Sequence, residues 1–199
     1  MDPSIYIQKA KDLRTACYSC KKCPLGVNEL DGFDPHVFGY GNVASPIIFM
    51  AEAPGLDETR LRAPLVGKSG QIYQKFILDA LGFDRKDIYT TNAVLCRPPN
   101  NRKPTPEERS ICLPHLVAQF NLIKPELVVV LGVTPMAVML GVDEGITNMA
   151  GKIYRSGGFG VDVFVLTHPS WIIRTGQYDL LKGHVKLLKE HINTILYGA

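Results

Sequence analysis

The chain has 199 residues, 46% hydrophobic and 21% charged, with a formal net charge of +3. This composition excludes a disordered polar chain, and no apolar run approaches the roughly 20 residues that a membrane-crossing helix needs. The mild positive charge permits a basic face toward nucleic acid without requiring one.

The opening stretch, MDPSIYIQKAKDLRTAC, intersperses acids and bases and lacks the basic-then-apolar layout of a signal peptide. A cytoplasmic location is therefore expected. The five cysteines are then expected as metal ligands or buried thiols rather than disulfides. Residues 4–16 read as a short helix, followed by the cysteine-rich CYSCKKC and a Gly/Pro-rich approach, FGYGNVASP. IIFMA (47–51) has strand length, SGQIYQKFILDALG (69–82) reads as an amphipathic helix stopped by Gly82, and IYTTNAVL (88–95) is a strand rich in β-branched residues. Thr105-Pro106-Glu107-Glu108 predicts a helix start, with Thr105 as N-cap, Pro106 in the first turn and Glu108 closing a capping box; that helix runs to about Ile123. LVVVLG (strand), TPMAVMLG (helix), KIYRS and VDVFVLTH (strands) follow. Leu181, Val185, Leu188, Ile192 and Ile195 then mark the apolar stripe of a last helix.

Alternating strands and helices predict an α/β fold with a mostly parallel sheet. In such sheets ligands sit at the carboxyl ends of the strands. Glu52 and His168 end the first and last strands, Asn92 lies within the second and Gly132 ends the third, so Glu52, Asn92 and His168 are candidates for one cleft. RAPLVGKSGQ (62–71) carries Gly-Lys-Ser, yet Arg62 stands where a phosphate-binding loop needs its first glycine, which argues against a nucleotide triphosphate site.

Cys17, Cys20 and Cys23 are spaced by three, with Cys96 and Cys112 far downstream. Four thiolates suit zinc or a 4Fe-4S cluster. A zinc ribbon repeats a close pair twice, and here the second pair is widely separated, which favours the cluster. The competing reading leaves Cys96 and Cys112 as ordinary buried thiols.

Five stretches, taken in order, carry a resemblance: AEAPG (51–55), LVGKSGQ (65–71), TNAVLCRPPNNRKPTPEE (91–108), LGVTP (131–135) and HPSWIIR (168–174). Together they resemble the family 4, iron–sulfur uracil-DNA glycosylases over nearly the whole chain. The resemblance implies one domain spanning 1–199, a three-layer α/β/α fold around a central, mostly parallel four-stranded sheet, with the N-terminal helix and Cys-rich loop (1–30) joining a metal centre. It implies a 4Fe-4S cluster on Cys20, Cys23, Cys96 and Cys112, with Cys17 as the alternative ligand.

The same resemblance implies a monofunctional enzyme of base excision repair that hydrolyses the glycosidic bond of a flipped-out deoxyuridine, acting as a monomer on single- or double-stranded uracil-containing DNA. Asn92 would pair with the uracil edge, His168 would donate to O2, and Glu52 would orient water or stabilise the sugar cation. Ala53, Gly55, Leu65 and Ser170 would complete the substrate site. Lys68, Ser69, Arg97, Arg102, Trp171 and Arg174 would meet DNA, with Lys103 beside them and Ile172 sharing the wedge. Two positions depart from the family: Leu65 stands where phenylalanine is usual and Ala51 where glycine is usual. These departures support an alternative, a weakly active uracil- or single-strand-binding relative working within a replication or repair assembly. A suicide-type relative is disfavoured, because CRPPNNRKPTPEE carries neither the inserted basic loop nor its histidine.

Overall fold

The computed structural model describes residues 3–27 and 31–198. Residues 1, 2, 28–30 and 199, which the one-domain expectation includes, lie outside the described residues. In chain order the elements are α1 (Pro3–Tyr18), β1 (Tyr40–Gly41), β2 (Ile47–Ala51), α2 (Leu56–Leu61), α3 (Lys68–Ile72), a π-helical segment (Tyr73–Leu78) and α4 (Asp79–Leu81). There follow β3 (Tyr89–Asn92), α5 (Pro106–Ile123), β4 (Leu127–Leu131), α6 (Val133–Leu140), α7 (Ile146–Met149), β5 (Ile153–Arg155), β6 (Asp162–Leu166), α8 (Pro169–Thr175) and α9 (Tyr178–Tyr197).

The sheet has six strands in the order β1-β3-β2-β4-β6-β5. The expected four-stranded parallel core is present as β3, β2, β4 and β6, and short antiparallel strands β1 and β5 extend it at both edges. The edge strand β1, two residues long, follows Gly39 in the glycine-rich approach and carried no strand-length apolar signal.

Strands β2 and β4 are apolar throughout because both sheet faces are covered. Their side chains alternate between two cores. Ile47, Phe49, Leu127, Val129, Phe164 and Leu166 meet the π-helical segment, α8 and α9 on one face. Ile48, Met50, Val128, Val130, Val163 and Val165 meet α5 and α6 on the other. The expected α9 stripe is present: Leu181, Val185, Leu188 and Ile192 are buried and Ile195 packs against them. No described helix is long and apolar enough to cross a membrane.

Helix α3 continues into a π-helical turn where a plain α-helix was expected. The segment buries Tyr73, whose hydroxyl lies 2.8 Å from that of Thr90 on β3. Helix α5 begins as predicted: Thr105 Oγ1 accepts from the Glu108 N–H at 3.1 Å, and the Glu108 carboxylate accepts from the Thr105 N–H at 2.8 Å. The same carboxylate takes two hydrogen bonds from Arg102, at 2.8 and 2.6 Å. Removing this cap with Thr105→Ala is expected to cost about 1 kcal/mol, read as an earlier denaturant midpoint with an unchanged m-value.

Candidate active site and thiol cluster

The parallel register brings the ends of the core strands level. Ala51 pairs with Asn92, and Leu131 pairs with Leu166. Glu52, Asn92 and His168 therefore line one cleft, with Ala53, Gly55, Leu65, Lys68, Ser69, Arg102 and Ser170. The side-chain amide of Asn92 is buried, and its Nδ2 has no hydrogen-bond partner within the protein.

Glu52 is held from below. The Thr134 hydroxyl, fully buried in the first turn of α6, donates to Glu52 Oε2 in a short hydrogen bond. A helix amino end also favours the negative carboxylate. The main chain around Glu52 is tied to the strand end of β3: the Ala93 N–H donates to the Ala51 carbonyl at 2.8 Å, and the Val94 N–H to the Glu52 carbonyl at 3.1 Å.

His168 is the N-cap of α8. The Ser170 backbone N–H donates to His168 Nδ1 at 3.1 Å, with the Ser170 hydroxyl 2.7 Å from the same nitrogen. A backbone N–H can only donate, so Nδ1 is an acceptor and the ring proton sits on Nε2. Desolvation of this half-buried ring, with the nearby Arg174 charge, pushes the imidazole pKa down to about 4. Gly132 makes room for this ring: its φ of +106° suits glycine, and a Cβ there would lie 3.1 Å from His168 Cβ.

The cleft's apolar wall is a strained turn. Leu65 is buried with a φ of 54°, a left-handed conformation that costs an L-residue about 1–2 kcal/mol. Lys68 is exposed at the start of α3 and Ser69 is partly exposed beside it.

On the far side of Glu52 and His168 lies a second recess, which Lys103, Trp171 and Arg174 help to line. Arg174 is exposed, whereas Trp171 is half-buried and packs against the core. Two expectations do not fit these positions. Ile172 is fully buried in the core, so it cannot wedge into DNA; the exposed apolar residue of that helix is Ile173. Arg97 is buried, its Nε donating to Asn101 at 2.8 Å and its guanidinium paired with Asp31, so its charge is engaged within the protein rather than presented to phosphate. Arg102 is exposed but held by Glu108, and Lys103 shares Asp143 with Arg109.

Cys17, Cys20, Cys23, Cys96 and Cys112 all line one small enclosed cavity, and all five thiols are free. Burial pushes the Cys112 thiol up to about 11 and raises Cys17 and Cys96 further. The Leu95 N–H donates to Cys112 Sγ at 3.3 Å. His36 Nε2 lies 2.8 Å from the Cys20 carbonyl, and its Nδ1 lies 2.6 Å from Asp34. Among the described residues no three His, Cys, Asp or Glu side chains gather closely enough to hold a single metal ion.

The sequence reading passed over Thr134, Glu58, Arg85 and Asn101. Thr134 had a usable signal, since it follows the third core strand in LGVTP, at the level of the other strand ends. Glu58 and Arg85 act through backbone contacts and Asn101 accepts from the Arg97 side chain, none of which spacing announces.

A parallel sheet with three polar residues level at its carboxyl end agrees with comparison to known proteins. The model of the uracil DNA glycosylase superfamily matches residues 38–190, and the chain belongs to that superfamily. A type-4 uracil-DNA glycosylase of Thermotoga maritima is 36% identical over 162 residues, covering 81% of each chain. Another of Archaeoglobus fulgidus is 34% identical over 177 residues, covering 86% of each chain. A third, of Pyrobaculum aerophilum, is 34% identical over 162 residues, covering 78% of this chain and 80% of its own. Within the superfamily, the chain is thus a member of the type-4 uracil-DNA glycosylases.

The His168 arrangement carries a direct test. Its ring is expected to remain neutral, with the proton on Nε2, from pH 8 down to about 5 in nitrogen-15 NMR spectra. Titration near 6.5 would contradict it. Because the folded-state pKa is depressed, the unfolded chain binds a proton that the folded chain refuses. This histidine therefore withdraws stability as pH falls from about 6.5 toward 4.

Proposed function

We propose that this chain removes uracil from DNA by hydrolysing the N-glycosidic bond, leaving an abasic sugar in an unbroken strand. The observation that carries this reading is the orphaned Nδ2 of Asn92, buried in a cleft flanked by a carboxylate and a neutral imidazole. A buried amide donor without a partner is costly unless a ligand completes it. Uracil presents O4 and N3–H side by side, which match the donor and acceptor of one Asn92 amide. Cytosine presents the opposite pattern and would leave both unmatched. The base must be flipped from the helix to reach this depth.

As the bond breaks, negative charge gathers on the base. His168 supplies an Nε2–H toward O2; because the ring is neutral, it donates without surrendering a full proton. Glu52, held by Thr134 on one oxygen, keeps the other for the attacking water or for the positive charge growing on the sugar. Ala53, Gly55, Leu65 and Ser170 shape the site around the base and the sugar-phosphate. Lys68, Ser69, Arg102, Trp171 and Arg174 are the proposed DNA contacts, joined by Lys103.

Cys20, Cys23, Cys96 and Cys112 are proposed to hold a 4Fe-4S cluster, with Cys17 beside them as a fifth thiol. The donor set suits it: zinc would draw four sulfurs to about 2.3 Å from one centre, whereas these thiols surround a cavity without gathering on a single point. When bound, the cluster would cross-link the loop after α1, the loop after β3 and α5, and would perform no step of the hydrolysis.

A labelled oligonucleotide with one uracil tests the activity. Wild-type protein is expected to release uracil, with abasic sites revealed by alkali. Asn92→Ala and His168→Ala are each expected to lower the rate by about 100- to 1,000-fold. A folded wild-type protein that leaves single-stranded, U·G and U·A substrates intact would sink the enzyme reading and favour the binding relative. For the thiols, purified protein is expected to be brown, with about four irons and four sulfides per chain. Cys96→Ser should lose most of that colour, and Cys17→Ser should keep it; the reverse pattern would move Cys17 into the ligand set.

A further inference from the structure

The turn that carries Leu65 has a support of its own. Two residues outside the sequence motifs satisfy its polar atoms from opposite sides. Glu58 lies in the first turn of α2, where one carboxylate oxygen accepts from the Gly55 N–H at 3.0 Å, an ordinary capping contact. Its other oxygen leaves the helix altogether. It accepts from the N–H groups of Val66 and Gly67, both at 2.9 Å.

Arg85, twenty residues beyond Leu65 in the chain, approaches from the other side. Its guanidinium donates to the Leu65 carbonyl at 2.8 Å and to the Pro64 carbonyl, and it stacks 5.5 Å from the centre of the Tyr73 ring. Beneath the turn, a Cβ on Gly70 would lie 1.9 Å from the Leu65 carbonyl oxygen, so only glycine lets the turn sit down on α3. The left-handed backbone of Leu65 is thus held by an acceptor, a donor and a close approach.

We propose that Glu58 and Arg85 are positioning residues, a two-sided clamp on residues 64–67 that keeps Leu65 in place as the apolar wall of the cleft it shares with Asn92. The proposal deepens the uracil-excision reading and rests on it for its catalytic consequence. A leucine covers less of a planar base than an aromatic ring does, so its placement leaves less room for error. Glu58 also lines the cleft, and both clamp residues act on Leu65 through the backbone of the turn.

The test joins amide hydrogen exchange with kinetics on wild type, Glu58→Ala, Arg85→Met and Arg85→Lys. In Glu58→Ala the Val66 and Gly67 amides are expected to exchange at least tenfold faster. In the same variant kcat/KM on uracil-containing DNA should fall by about 10- to 100-fold, the scale of a small misplacement. Inhibition by free uracil should weaken by a similar factor, while affinity for DNA carrying a tetrahydrofuran abasic analogue stays within twofold. Arg85→Met should fall in kcat/KM by about tenfold, and Arg85→Lys, which can still donate, should recover most of it. Faster exchange with unchanged kcat/KM and unchanged uracil inhibition would overturn the proposal, as would amides that exchange at the wild-type rate. If Glu58→Ala does not fold, the Arg85 pair decides. A wild-type protein that neither cleaves nor binds uracil would remove the uracil reading, and with it the catalytic claim made for the clamp.

Discussion

Everything in the cleft depends on the register of four buried parallel strands. A slip of one residue in β2 or β3 would send alternate side chains to the opposite face and separate Ala51 from Asn92. The two apolar cores prevent this, because each strand delivers odd and even residues to different layers and neither layer can accept the other's set. The functional residues then need no long-range steering. Asn92 ends β3, Glu52 directly follows β2 and His168 lies two residues beyond β6, where ladder pairing stops and side chains turn into the cleft.

Around that frame several polar groups in the cleft have partners within the protein. Glu52 has Thr134, His168 has Ser170, and the turn at Leu65 has Glu58 and Arg85. The amide nitrogen of Asn92 stands apart, buried and unpartnered. Strain at Leu65 and desolvation at Asn92 and His168 all oppose folding, and the buried layers below offset them. At Asn92 a ligand can recover that cost, which is how a preorganised polar site differs from an ordinary core.

How much of this was legible follows from whether each feature is local in sequence. The α5 cap was readable because Thr105, Pro106 and Glu108 act within one turn. The core strands were readable because buried parallel strands are nearly continuous apolar runs, as LVVVL shows. Tyr40–Gly41 was not, since a two-residue edge strand carries no periodicity. Glu52, Asn92 and His168 could be grouped from strand ends alone, and the resemblance gave them roles. Arg97 misled because a basic residue in a polar loop looks exposed; its partner Asp31 lies 66 positions away and nothing in the spacing joins them. Glu58 was hidden for the same reason: its side chain serves its own helix and a distant turn at once.

The segment from Asn92 to Arg102 links the cleft to the cysteine cavity. Asn92 closes β3, and four residues later Cys96 faces the cavity. Between them the Val94 N–H is tied to the Glu52 carbonyl and the Val37 N–H donates to the Leu95 carbonyl, and just past Cys96 the Arg97 N–H donates to the Pro35 carbonyl. Beyond Cys96, Arg97 holds Asn101, and Arg102 returns to the mouth of the cleft. A loop of this length, with only one 3-10 turn (Pro99–Asn101), would ordinarily be mobile. Here its middle places the buried Cys96 at the cavity, and its ends, Asn92 and Arg102, line the cleft. Any group that joined Cys96 and Cys112 to the N-terminal cysteines would therefore stiffen both the wall behind Asn92 and the basic rim at Arg102, supporting the cleft without contacting the base.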